Sequence, residues 1–187
     1  MTAPPGTHPL DPLTADEFRQ AAAILRRDRG VGDRWRFAGI ELREPAKDVV
    51  RQWSPGDDVH REARVTCFDR DTNTAFNAVV SLTVDAVLSW DELPGMQPNM
   101  TVDEWHEAHE ALITEPRIVQ ALAQRGITDL DRVLIDTWAY GHALIPEGFS
   151  GRRVGWTDVW LRGSETGNPY AHPVDGLHAV VDLNSME

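Results

Sequence analysis

Pro94-Gly95-Met96-Gln97-Pro98-Asn99-Met100-Thr101-Val102-Asp103-Glu104-Trp105 is the stretch on which the reading of the fold turns. Its first six residues have the composition of a linker, rich in residues that turn the chain or stop a helix. Thr101-x-x-Glu104 then has the pattern of a capping box. In that motif the Thr hydroxyl accepts from the Glu backbone N–H, and the Glu carboxylate accepts from the Thr backbone N–H. Trp105, Ala108 and Leu112 follow at helical spacing, and Pro116 opens a second short helix that ends at Gly126.

The same grammar occurs once before. Thr14-Ala15-Asp16-Glu17 is an earlier capping box with its Asp in the same place, and Phe18 stands where Trp105 stands. Phe18, Ala21, Ala22 and Leu25 predict an amphipathic helix, with Gly30 as its C-cap. Strands are predicted after it at Trp35–Leu42 and Glu62–Phe68. Ala75–Trp90 is too long for one ordinary strand, so it is read as a hairpin turning near Val84-Asp85. Asp69-Arg70-Asp71-Thr72-Asn73 supplies turn chemistry for the preceding hairpin. Beyond the second box, strands are predicted at Val133–Tyr140, Arg153–Arg162 and Leu177–Leu183.

Strands in runs, without helices between them, favour α+β over a parallel α/β sheet. The predicted architecture is two small domains, each a helix packed on an antiparallel sheet. Residues 1–12 form a flexible arm, 13–94 the first domain, 95–100 the linker and 101–187 the second domain.

The net charge of −12 over 187 residues argues against a nucleic-acid or anionic-membrane binder, since both require basic surface. No run approaches the ~18 apolar residues of a membrane span. The N-terminus lacks a basic region followed by an apolar one, which predicts no signal peptide and a cytoplasmic location. Cys67 is the only cysteine, so no internal disulfide can form.

Several stretches imitate catalytic or metal motifs. His106-Glu107-Ala108-His109 has one residue between Glu and the second His, where a zinc protease helix needs two. It reads as a solvated helix face. Asp69-x-Asp71-x-Asn73 begins like a calcium loop, but Thr74 takes the place of the required Gly and Val80 that of the closing Glu. Cys67 alternates with Val65 and reads as a small core residue rather than a nucleophile. Trp138, Trp156 and Trp160 lie on predicted strands; they read as core packing or, alternatively, as an aromatic wall.

The most distinctive segment is Asn168-Pro169-Tyr170-Ala171-His172-Pro173-Val174-Asp175-Gly176-Leu177. It resembles the Ala-His-Pro-Val-Asp-Gly-Leu segment of copper-containing primary-amine oxidases. His8-Pro9-Leu10-Asp11-Pro12-Leu13, Leu93-Pro94-Gly95-Met96-Gln97-Pro98 and Asp136-Thr137-Trp138-Ala139-Tyr140-Gly141 resemble other landmarks of that family, in the same order. The resemblance covers residues 8–187 and implies the N2 and N3 domains, both cystatin-like.

It further implies a parent enzyme, a homodimer, that converts a primary amine to an aldehyde with copper and topaquinone. The quinone tyrosine, the copper-binding histidines and the catalytic Asp belong to a later domain in the family. Tyr140 and Tyr170 do not fit the quinone motif, and no His-x-His pair occurs among the seven histidines. The chain is therefore expected to carry no catalytic residue, metal or cofactor of its own, and to be inactive alone. Its role would be to pack on the catalytic domain and shape the substrate entrance. The resemblance places Trp105, Trp138 and Tyr170 at the mouth of the substrate channel, with the three on one side of the second domain.

Two other readings stand beside this one. One is a stand-alone binding module, which a reading frame continuing for hundreds of residues would exclude. The other is a small metalloenzyme in which His106, His109, His172 and His178 converge.

Overall fold

The computed structural model describes residues 8–140 and 145–187. Contacts divide the chain into two compact units that meet at Pro98 and Asn99. The structure of both is a helix and an antiparallel sheet, an α+β fold.

In the first unit, helix α1 (Ala15–Arg29) starts at the expected capping box. Thr14 Oγ1 accepts from Glu17 N at 3.2 Å, and Glu17 Oε2 accepts from Thr14 N at 2.8 Å. Gly30 ends the helix with a φ of 68°, a left-handed conformation that costs glycine little. The buried stripe is Ala21, Ile24 and Leu25. This corrects the sequence reading, because Phe18 is 40% exposed. Glu17 binds the nearly buried Arg61, which turns that side of the first turn inward and leaves Phe18 on the flank.

Strands β1 (Trp35–Leu42), β2 (Glu62–Asp69), β3 (Thr74–Ser81) and β4 (Ala86–Leu93) follow, with a short helix α2 (Lys47–Gln52) between β1 and β2. The sheet order is β1-β2-β3-β4, antiparallel throughout. The sequence reading did not include α2, which buries none of its residues and so shows no apolar period. Ala63, Val65, Ala78 and Val80 meet the apolar stripe of α1. The β2–β3 turn uses both Asp69 oxygens, which accept from Asp71 N at 3.0 Å and Thr72 Oγ1 at 2.9 Å. These bonds spend the supposed calcium carboxylate on turn geometry. Cys67 is buried, and burial pushes its thiol up to about 12.

In the second unit, helices α3 (Val102–Ile113) and α4 (Pro116–Gln124) precede β5 (Val133–Ala139), β6 (Val154–Leu161), β7 (His172–Pro173) and β8 (Val180–Asp182). A 3-10 turn at Leu130–Arg132 leads into β5. β6 pairs with β5, and β7 and β8 pair with different ends of β6. The expected strand Leu177–Leu183 narrows to β8. Gly176 has a φ of 68° just upstream, and the chain turns from there to put Leu177 in the core. Ala108, Leu112, Ile118 and Leu122 pack against Val133, Ile135, Val159, Val181 and Leu183.

The two units share a further device. Arg61 and Arg153 each stand immediately before a strand, and each holds the Glu of the capping box with two nitrogens. Arg61 Nε donates to Glu17 Oε1 at 2.8 Å, and Arg153 Nε donates to Glu104 Oε1 at 2.6 Å. Each also donates to the carbonyl two residues before the cap, Pro12 in one unit and Asn99 in the other. Leu82 N donates to the Arg61 carbonyl, and Leu183 N donates to that of Arg153. Burial opposes the charge of both glutamates. The guanidinium and the cap hydrogen bonds outweigh it and hold both carboxyls below the usual range.

Candidate functional site

The site lies on the second unit and is built on strand β5. Val133, Ile135 and Thr137 point to the core, so Leu134, Asp136 and Trp138 take the opposite face. The register sets Leu134 opposite Trp160, Asp136 opposite Asp158, and Trp138 opposite Trp156. This face therefore carries three tryptophans and two directly opposed carboxylates. Like charges in that position repel, so each needs hydrogen-bond donors.

Asp136 finds them in aromatic side chains. Trp105 Nε1 donates to its Oδ1 at 2.8 Å, and Trp138 Nε1 donates to its Oδ2 at 3.1 Å. Tyr170 reaches the same carboxylate with its hydroxyl. Burial first, then the Asp136 charge and that hydrogen bond, raise the Tyr170 hydroxyl above the ordinary phenol value. Asp136 is only 5% exposed, whereas Trp138 and Tyr170 are 56% and 45% exposed. The Tyr170 ring also meets Trp160 edge-on, 5.4 Å between centroids. Asp158 is served separately by His178, whose Nδ1 lies 3.3 Å from Oδ1 and 3.0 Å from the Thr157 carbonyl.

Trp105 comes from helix α3, which packs along β5. His109, one turn further on, accepts from Ile135 N at 3.3 Å and stacks its ring parallel to Trp105 at 6.2 Å. Burial holds its imidazole below the ordinary value. Its neutral form has the lone pair that this acceptor role needs.

Residues 14–90 match the family description "AGAO-like N2 domain", and residues 103–187 match "Copper amine oxidase, N3 domain". The chain belongs to the copper amine oxidase family, of which it carries the N2 and N3 domains. It is 38% identical over 180 residues to a primary amine oxidase of Arthrobacter sp. (strain P1), covering 96% of this chain and 27% of that protein. A copper-containing, peroxisomal diamine oxidase of Nicotiana tabacum is 29% identical over 225 residues, 100% of this chain and 28% of its own length. In fold, the chain superposes on a copper-containing benzylamine oxidase from Hansenula polymorpha with a TM-score of 0.73. That match has 17% identity and covers 97% of this chain and 29% of the other. The chain thus spans little more than a quarter of the relatives it matches.

Trp105, Trp138 and Tyr170, singled out from the resemblance, meet at one carboxylate of the N3 domain. Sequence reading missed that carboxylate. Its available signal was a single acidic residue inside Val133-Leu134-Ile135-Asp136-Thr137-Trp138, an otherwise apolar strand segment. Trp138, Trp156 and Trp160 lie on the outer face of the β5–β6 pair, which corrects the reading of them as core packing and agrees with the alternative of an aromatic wall. Gly141, at the end of the Asp136–Gly141 landmark, lies outside the described residues, as does His142.

The described residues offer copper no ligand set. Among the described residues no group of three His, Cys, Asp or Glu could hold a metal ion. His106, His109, His172 and His178 do not converge on a common point. His109 is committed to Ile135 N and His178 to Thr157 and Asp158.

Proposed function

We propose that this chain is the non-catalytic front of a longer copper amine oxidase. Its N2 and N3 domains pack on a catalytic domain encoded beyond them, and the Asp136 face of N3 forms one wall of the substrate entrance. The parent reaction is that of a primary-amine oxidase, primary amine with O₂ and water giving aldehyde, ammonia and H₂O₂. Copper and topaquinone, held by the catalytic domain, would supply the oxidation. This chain by itself turns over no amine. The parent is a homodimer and cytoplasmic, and the acidic surface has no nucleic-acid or membrane partner.

The observation that supports the entrance role is the convergence of Trp105, Trp138 and Tyr170 on Asp136, with two of the rings half open to solvent. A ring fixed by a hydrogen bond at its edge presents its apolar face without the freedom to collapse. It excludes water and accepts the apolar part of an arriving amine.

The test is Tyr170→Ala in the full-length oxidase, assayed with a bulky and a small amine. Reshaping an apolar pocket typically shifts relative kcat/KM by roughly 10–200-fold. Unchanged selectivity would take Tyr170 out of the channel. The 187-residue chain alone should release no H₂O₂ with either amine.

A further inference from the structure

Strand β5 is the outer strand of the N3 sheet, with β6 on one side only. Arg162 N donates to the Arg132 carbonyl and Tyr140 N to that of Val154, which turns the backbone groups of Leu134, Asp136 and Trp138 toward β6. The N–H groups of Val133, Ile135 and Thr137 therefore point out of the sheet. Unpaired, such a row is a template for strand addition. The first of these donors is closed by backbone, Val133 N on the Leu130 carbonyl. The second is closed by a side chain, since Ile135 N donates to His109 Nδ1 at 3.3 Å. Ile135 is 1% exposed, and a buried N–H that loses its acceptor is costly.

Only a neutral imidazole can close that edge. Protonated, the ring donates from both nitrogens and sets N–H against N–H. Half-burial of the ring disfavours its charged form; on α3, Glu110 favours that form and His106 opposes it. On β5 the facing acid is Asp136, whose oxygens accept from Trp105 and Trp138. In the turn before β5, Asp129 and Asp131 are exposed, and Arg132 donates to the carbonyls of Arg162 and Gly163. Helix α4 brings Arg117, which pairs with Glu115. The Trp105 ring lies parallel to His109, and its indole N–H rests on Asp136. His109 thus ties α3 to the strand edge twice, directly at Ile135 and through the stacked Trp105.

We propose that His109 is a proton-operated latch between α3 and β5. Neutral, it closes the outer edge of the N3 sheet and keeps Trp105 seated on Asp136. Protonated, it lets go of the Ile135 N–H, α3 loosens from the strand around it, and the edge opens to solvent. The closed form binds the proton more weakly than the open one, because burial opposes the imidazolium. The latch is therefore fully closed above the ordinary imidazole value of about 6.5 and is lost as pH falls through the folded one. That window lies above the carboxyl window near about 4.3, where Glu17 and Glu104 begin to lose their charge. The latch belongs to N3 itself and stands whether or not the Asp136 face lines a substrate entrance.

The experiment is NMR of the 187-residue chain labelled with ¹⁵N, followed from about pH 7.5 to about pH 5, clear of the carboxyl window. At the upper end the His109 ring should carry its proton on Nε2 and none on Nδ1. Exchange of the Ile135 amide, corrected for its intrinsic pH dependence, should speed up several-fold below about pH 6.5, and by no more than about tenfold per pH unit. The Trp105 indole resonance should move over the same range. His109→Asn places an amide oxygen near the position of Nδ1, cannot titrate, and should lose the pH response. His109→Phe keeps a flat ring without an acceptor, and its Ile135 amide should exchange fast at both ends of the range. A proton on Nδ1 at the upper end would overturn the proposal. So would Ile135 exchange that ignores pH, the same pH response in His109→Asn, or slow Ile135 exchange in His109→Phe.

Discussion

Glu104→Gln tests the joint on which the N3 domain is built. Glu104 is fully buried and Arg153 nearly so. The pair is held by Nε on Oε1 at 2.6 Å and Nη2 on Oε2 at 3.0 Å. The substitution keeps the size of the side chain and removes its charge, so the guanidinium loses the carboxylate it rests on. Breaking one partner of a buried pair costs about 3–5 kcal/mol. At about 4–8 °C per kcal/mol for a unit of this size, the midpoint of N3 should fall by roughly 12–40 °C.

The assay is urea or thermal unfolding followed by tryptophan fluorescence. The double variant Glu104→Leu with Arg153→Met is the partner measurement. Replacing both charges by apolar groups of similar volume should recover most of the loss, giving a strongly non-additive cycle. A Glu104→Gln cost below about 1 kcal/mol, the level of a surface pair, would refute the reasoning. A double variant equal to the sum of the single ones would do the same.

The pair also sets a pH dependence. The folded-state carboxyls of Glu104 and Glu17 lie below their ordinary values. Their contribution is complete above the unfolded carboxyl value of about 4.3 and is lost as pH falls through the folded ones. Acid unfolding of Glu104→Gln should therefore be flatter in that window than that of the parent chain, and an identical slope would count against the assignment. Gly155→Ala should destabilise N3 by about 1–3 kcal/mol, because its new Cβ would lie 2.6 Å from Thr137 Cγ2; an unchanged midpoint would show that Thr137 can move aside. Cys67 should resist a thiol reagent at pH 8 in the native chain and react promptly in denaturant. Prompt native labelling would mean that β2 opens readily.

The starts of α1 and α3 were legible because capping is local, whereas α2 has no side-chain cap and was missed. Thr14 with Glu17, and Thr101 with Glu104, meet within one turn wherever the helix is placed, so four residues suffice to announce each box. The long strands β1, β2, β5 and β6 were legible from alternation, and the turns at Asn73 and Asp85 from residues that tolerate positive φ. The face that α1 buries was not legible. Phe18 has the right spacing for the core, but the orientation of the helix is fixed by Arg61, 44 positions further along the chain. The short strands β7 and β8 were missed or overdrawn because each exists only as a partner of β6.

The same division holds for the candidate site. Sequence alone determined the domain grammar, the acidic charge and the family, since these are carried by runs of consecutive residues. Through the family resemblance it also picked out Trp105, Trp138 and Tyr170 and set them on one side of the second domain. Only the tertiary structure decided that they meet, because their hydrogen bonds to Asp136 join a helix, a strand and a loop. In sequence Asp136 is one acid among thirty Asp and Glu residues. It becomes distinctive through burial beneath the indole N–H groups of Trp105 and Trp138, and burial depends on every element that packs around it.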